Sequence, residues 1–249
     1  KKPGKIEERL GDYNPERQSK DMKKVIILHG WTYSLEKWQS FLEILKKKGI
    51  EPVMLKVPGL TTQNNKIWDI DDYVRWLKEI VDKEKSKVAL IGHSNGGRIA
   101  VNFAIRYPER ISKLILIDSA GIYHNELPLA LKRVIFKTLA KFGRVLKGSS
   151  VLKNVFYKVV GETDYKNASQ NMKQTMINLL NSDKSLKPEK IQNPTLIFWG
   201  SEDKITPVSD GRILNRLIKN SRLEIIENTR HSPQFTDPEK VAEIIYGYI

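Results

Sequence analysis

A serine framed by glycines follows a short apolar run in Val88-Ala89-Leu90-Ile91-Gly92-His93-Ser94-Asn95-Gly96-Gly97. The spacing is G-x-S-x-G, the pattern of a strand that turns abruptly into a helix with a serine at the apex. In so tight a turn, large flanking side chains would clash with the strand and the helix. The serine is forced into a strained backbone conformation that pushes its hydroxyl out over the sheet edge. Such a hydroxyl becomes a nucleophile at neutral pH once a base stands beside it. The pattern alone recurs by chance, but its context is specific. An apolar strand precedes it, and Ile99, Ala100, Phe103 and Ala104 predict a helix beginning near Arg98. Ser94 is therefore the candidate nucleophile, against the plainer reading of a serine in a turn.

The elements that would position it follow from periodicity. Six apolar runs have strand length: Val25–Leu28, Val53–Val57, Val88–Ile91, Leu114–Ile117, Thr195–Trp199 and Leu223–Ile226. Most are continuous rather than alternating, as parallel strands buried on both faces require. Leu35, Trp38, Phe41, Leu42 and Leu45 recur at helical spacing up to Gly49, and Tyr73, Trp76, Leu77, Ile80 and Val81 do so before the Lys83–Lys87 turn. A last amphipathic helix carries Val241, Ile244, Ile245 and Tyr248 after Asp237-Pro238. Strand alternating with helix implies an α/β fold with a doubly wound, mostly parallel sheet of about six strands. Between Ser119 and Ile191 the alternation stops. Only helical patterns occur there: Leu131 to Val145, Leu152 to Val159, and Met172, Met176 and Leu179. Some 70 residues are too many for a connection within a compact unit. The expected organisation is a polar extension over 1–22, a core over 23–120 and 191–249, and an inserted helical lid over 121–190.

In open parallel sheets the working residues lie just past the carboxyl ends of the strands. Those positions hold His29-Gly30-Trp31, Ser94, Gly200-Ser201-Glu202-Asp203, and a loop carrying His231. The chain order Ser, Asp, His is the one expected of this fold. Asp118, directly after the fourth run, is a rival to Asp203 as the acid. Together, His29-Gly30, Gly92-His93-Ser94-Asn95-Gly96-Gly97, Trp199-Gly200-Ser201-Glu202-Asp203 through Pro207, and His231-Ser232-Pro233 resemble the α/β-hydrolase superfamily, in the group with a helical lid. The resemblance covers roughly residues 23–249. It departs from the family at the start, where residues 1–22 are too short and polar for the first two family strands.

The resemblance implies roles. Ser94 attacks, His231 takes its proton and later delivers it to the leaving group, and Asp203 fixes the histidine tautomer. The backbone N–H groups of Asn95 and Trp31 form the oxyanion hole. His29 and His93 are expected to support loops, and His124 to lie at the surface. A serine nucleophile, where epoxide hydrolases and dehalogenases of the superfamily carry Asp, implies an acyl-enzyme and a carbonyl substrate. The expectation is a serine hydrolase of carboxylic esters. Carbon–carbon bond hydrolases share the triad but usually have Asn where this chain has His93. A non-catalytic binding protein on this fold is the alternative of another class, and the complete triad argues against it. Met172, Met176, Phe142, Phe156 and Trp31 are candidates for an apolar substrate pocket or, more plainly, for lid core.

Composition bounds the rest. The 249 residues suffice for one α/β domain with an insertion, and the absence of cysteine excludes disulfides, a thiol nucleophile and thiolate metal sites. It also suits a reducing compartment, so a cytoplasmic location is expected. No apolar run approaches the roughly 20 residues of a membrane span, and no signal peptide is visible after Lys-Lys-Pro-Gly-Lys, although a removed leader stays open. No metal cluster or dinucleotide fingerprint appears, so no cofactor or metal is expected. The net charge of +14 comes without a nucleic-acid-binding signature, and no nucleic-acid partner is expected. The partner is a small-molecule ester, and the oligomeric state stays open. Residues 121–190 hold thirteen Lys/Arg against five Asp/Glu. Lys132, Arg133, Lys137, Lys141 and Arg144 flank an apolar stripe, which suggests weak contact with anionic surfaces or, more plainly, a solvated helix face.

Overall fold

The computed structural model describes residues 23–32, 34–60, 65–123 and 169–249. Six strands form one parallel sheet: β1 (Lys23–Leu28), β2 (Ile50–Leu55), β3 (Val88–His93), β4 (Ile111–Ile117), β5 (Thr195–Gly200) and β6 (Ser221–Ile226). Their order is β2-β1-β3-β4-β5-β6. The chain moves outward from β1 to β2 and then returns past β1 to β3. The crevice beyond the carboxyl ends of β1 and β3 is thus the topological switch point, where open sheets of this kind place ligands. His29-Gly30-Trp31 and Ser94 follow those two strands.

Alternate strand residues enter opposite layers. Ile26, Leu28, Leu90, Leu114, Leu116, Ile197 and Trp199 belong to one core cluster, and Val25, Ile27, Ile91, Ile115, Ile117, Leu196 and Phe198 to the other. The first is covered by helices α2 (Ile70–Val81) and α3 (Asn95–Arg106), with α5 (Val208–Leu217) contributing Leu214; the second by α1 (Gln39–Lys47) and α7 (Pro238–Tyr248), with the short α6 (Pro233–Thr236) adding Phe235. With both faces covered, β3 and β5 are buried along their whole length. That is why their sequences read as continuous apolar runs.

The helices begin where side chains satisfy their first amides. Asp69 accepts from the Asp72 backbone N–H, and Asp72 reaches back to Asp69, a full capping box for α2. Asp237 caps α7, whose Pro238 occupies the first helical position. Several boundaries differ from the sequence-based expectation, and two of them have a clear local cause. β2 starts at Ile50, because Gly49 at φ +80° turns the chain straight from α1 into the strand, in register with β1 from Lys23 onward. α3 starts at Asn95, directly after Ser94, rather than near Arg98, and Gly96 and Gly97 are helical instead of loop residues.

Of the expected lid patterns, the third is helix α4 (Gln170–Ser182), capped by Ser169 and burying Met172, Met176 and Leu179. It is tied to the segment before α2: Trp68 N–H donates to Thr175 Oγ1 at 3.0 Å, and Asn178 Nδ2 donates to the Trp68 carbonyl at 3.1 Å. The other two patterns lie outside the described residues, with Phe142, Phe156, His124 and the basic stretch Lys132 to Arg144. Residues 1–22 do too. Among the described residues no helix is long and apolar enough to cross a membrane.

Candidate active site

The β3–α3 turn sets the site's geometry. Ser94 has φ 53° and ψ −120°, a left-handed conformation that an L-residue adopts only under tertiary constraint. The constraint is visible at Gly96, where a Cβ would lie 2.2 Å from the Leu28 carbonyl oxygen and 2.6 Å from that of His29. Helix α3 runs so close beneath the end of β1 that only glycine fits. The Ser94 backbone is pinned on both sides: its N–H donates to the Ile117 carbonyl at 3.1 Å, and its carbonyl accepts from Arg98 and Ala120.

The loop after β1 packs against the serine. A Cβ on Gly30 would lie 2.7 Å from Ser94 Cβ and 3.2 Å from Ser94 Oγ, so any larger residue would displace the hydroxyl. His29 braces this loop as a neutral bridge. Its Nδ1–H donates to the Gly30 carbonyl at 2.5 Å while Nε2 accepts the Val57 N–H at 3.0 Å, and burial lowers its pKa. Among the described residues, neither Trp31 nor Asn95 spends its backbone N–H on another protein group. Asn95 also opens α3, whose positive dipole end favours negative charge there.

His231 and Asp203 come from neighbouring loops, after β6 and β5. His231 Nδ1 donates to Asp203 Oδ2 at 2.7 Å. Asp203 is fully satisfied: Oδ1 accepts the N–H groups of Ile205 (2.7 Å) and Thr206 (3.1 Å), and Oδ2 also accepts the Thr206 hydroxyl at 2.8 Å. With Nδ1–H committed to the carboxylate, the Nε2 lone pair is left as a base. The His231 ring stands 5.1 Å from that of His93, the residue before Ser94, which brings the histidine loop against the elbow. No hydrogen bond joins Ser94 Oγ to His231 among the described residues; such contacts are often long in free enzymes. His93 is buried beside Trp38, with Ser232 Oγ 3.3 Å from its Nε2, and burial holds its pKa well below the usual histidine value, with His231 adding to the effect.

Asp118 is built differently. It directly follows β4 at φ 43°, fully buried, with Oδ1 accepting the Gly200 N–H at 2.9 Å and Oδ2 without a partner. Burial, and then the neighbouring Asp203, push its carboxyl well above the ordinary range, which favours its protonated form. Asp118, Asp203 and His231 have ligand atoms within 4.8 Å of one another, the one such group among the described residues. In it His231 Nδ1 is already bonded to Asp203.

The sequence-predicted residues therefore meet: Ser94, Asn95 and Trp31 at the switch point, with the His231–Asp203 pair adjoining. Thr206 was missed. Its signal was the Asp-x-x-Thr spacing of a side chain closing a turn on its own backbone. Arg98 and Asp183, which form a buried ion pair beside Asn95, were also missed. They stand 85 residues apart, and no local pattern joins them.

The family model described as serine aminopeptidase, S33 matches residues 19–239. Human monoacylglycerol lipase ABHD6 is 26% identical over 252 residues, covering 90% of this chain and 74% of that protein. The uncharacterized hydrolase YugF of Bacillus subtilis (strain 168) is 26% identical over 259 residues, 95% of this chain and 91% of that one. The crystallised esterase of Exiguobacterium antarcticum shares the fold, with a TM-score of 0.68, 23% identity and 91% coverage of each chain. The fold, the glycine-framed elbow and the family match agree: this chain belongs to the serine aminopeptidase S33 family of α/β-hydrolases.

Proposed function

We propose that the protein is a serine hydrolase that cleaves carboxylic esters through an acyl-enzyme. The observation that carries this reading is the strained Ser94 elbow lying against a loop fixed by the 2.7 Å His231–Asp203 bond. Ser94 Oγ attacks the substrate carbonyl while His231 Nε2 takes its proton. Negative charge develops on the carbonyl oxygen, and the uncommitted N–H groups of Asn95 and Trp31 receive it. Each such donor is typically worth about 10²–10³ in rate. His231 then protonates the leaving alkoxide oxygen. In the second half-reaction it deprotonates water, which attacks the acyl carbonyl and frees Ser94.

Esters are favoured over other carbonyl substrates by the monoacylglycerol lipase name of the ABHD6 relative. The family description, serine aminopeptidase, favours amide cleavage by the same chemistry as the second reading. In this proposal, residues 121–190 form a lid between core segments 23–120 and 191–249. The location is cytoplasmic, as the lack of cysteine suits. Rates on p-nitrophenyl esters of graded chain length, beside aminoacyl p-nitroanilides, test the reading. Ester turnover that Ser94→Ala lowers by up to about 10⁶ in kcat is expected. Retention of more than a few per cent of activity by that variant would overturn it, and turnover of anilides alone would move the substrate class to amides.

A further inference from the structure

Among the described residues, the most heavily buried ion pair lies beside the proposed oxyanion hole and not among the triad residues. Arg98, in the first turn of α3, is 3% exposed at its side chain, and Asp183, in the short 3-10 turn after α4, is 2% exposed. The guanidinium grips the carboxylate with both edges: Nε donates to Oδ1 at 2.7 Å and Nη2 to Oδ2 at 2.9 Å. Its remaining nitrogen, Nη1, donates to the side-chain oxygen of Asn95. One planar group thus joins the carboxyl-terminal end of the 121–190 insertion to the residue whose backbone N–H adjoins the nucleophile. The amino-terminal end is tied to the same place, because Ala120 N–H donates to the Ser94 carbonyl at 3.0 Å.

A buried, bidentate pair has a high desolvation cost and is weak evidence for stability as such. Its rigid fork geometry does define direction. We infer that Arg98 and Asp183 form a strut that sets the orientation of Asn95 from the position of α4 and the turn after it, making Arg98 a positioning residue for the oxyanion hole. The inference rests on the serine-hydrolase reading. A peptide N–H has to point at the developing oxyanion within tenths of an ångström, and a misplacement of about 1 Å costs about 10² in rate. The Asn95 side chain is the handle through which such control reaches its own backbone. Because the strut acts where charge develops, its loss falls on kcat and leaves KM nearly unchanged.

Removing one partner would strand the other charge in the core, so the test replaces both. Arg98→Met with Asp183→Leu keeps an apolar pair of similar bulk, and Asn95→Ala cuts the handle while leaving the pair intact. Each is measured for kcat and KM on p-nitrophenyl butyrate, for affinity toward an alkyl boronic acid whose serine adduct presents a negative oxygen, and for thermal midpoint. The expected result is a fall in kcat of about ten- to a hundredfold in both variants. Boronate affinity should fall in parallel, KM should hold within about twofold, and the triple variant should be no worse than the worse of the two. Wild-type kcat in the Met/Leu variant, an effect confined to KM, or multiplying losses in the triple variant would each overturn the strut. If the Met/Leu variant does not fold, Asn95→Ala alone decides, and an unchanged kcat overturns it. Full esterase activity in Ser94→Ala would instead remove the serine-hydrolase reading itself.

Discussion

Asn substituted for Asp203 and for Asp118 should give opposite results, although the two carboxyls lie in one buried cluster. Asp203 uses both oxygens as acceptors, for Ile205 N–H and Thr206 N–H on one side and for the Thr206 hydroxyl and His231 Nδ1 on the other. An amide has one acceptor oxygen. Held by the two backbone donors, it turns its NH₂ toward His231, whose Nδ1 must then accept, leaving a proton on Nε2. The histidine can no longer take the serine proton. Asp203→Asn is expected to lower kcat by up to about 10⁴, about 5 kcal/mol of transition-state stabilisation. Asp118 uses one oxygen and its burial favours the uncharged form, so an uncharged amide keeps the Gly200 contact and suits the same buried place. Its kcat should stay within a few-fold.

Stability gives a second readout for Asp118. Its carboxyl has a folded-state pKa raised above the unfolded value near 3.8, so the folded state binds the proton more tightly and wild-type stability declines as pH rises through that window. Asp118→Asn removes the decline. The variant should gain in thermal midpoint over wild type as pH rises above about 4 and level off above the raised pKa, with little difference in acid. The assay is steady-state hydrolysis of one ester by both variants, with thermal melts from pH 4 to 8. Asp203→Asn retaining more than about 1% of wild-type kcat, with Asp118→Asn falling below it, would refute the reasoning and move the acid role to Asp118.

Ser94→Gly should abolish hydrolysis yet raise the thermal midpoint by about 2–4 °C, since glycine relieves a left-handed strain of about 1 kcal/mol; a lower midpoint would contradict the strain. Gly96→Ala forces a Cβ to within 2.2 Å of the Leu28 carbonyl oxygen, and melting should drop by at least about 6 °C, or folded protein should be lost. Thr206→Val removes the hydroxyl from Asp203 Oδ2 while keeping shape; kcat is expected to fall about three- to tenfold with KM unchanged, which an ester progress-curve assay would check.

The elbow and the six strands were legible because their causes are local. A glycine frame and a continuous apolar run state, within ten residues, that a strand buried on both faces turns directly into a helix. The six runs duly became six parallel strands. Boundaries were less legible where glycine serves close approach rather than a turn. Gly96 and Gly97 read as loop, yet they are helical because α3 passes under the carbonyl of Leu28.

The sequence by itself determined the α/β class, the elbow serine and the set of residues at the strand ends, since periodicity and glycine spacing act over one or two turns of chain. Only the tertiary structure decided which carboxylate meets the histidine. Asp118 and Asp203 both follow strands, and chain position does not show that one faces His231 with both oxygens satisfied while the other keeps an unpaired oxygen and a raised pKa. The same holds for Arg98 and Asp183. No local pattern marks either in the sequence, and only the packing of α3 against the turn after α4 removes both from water and leaves each as the other's partner. Burial is a property of the assembled layers, and with it comes the low dielectric that makes a charge pair specific and raises the pKa of a lone carboxyl.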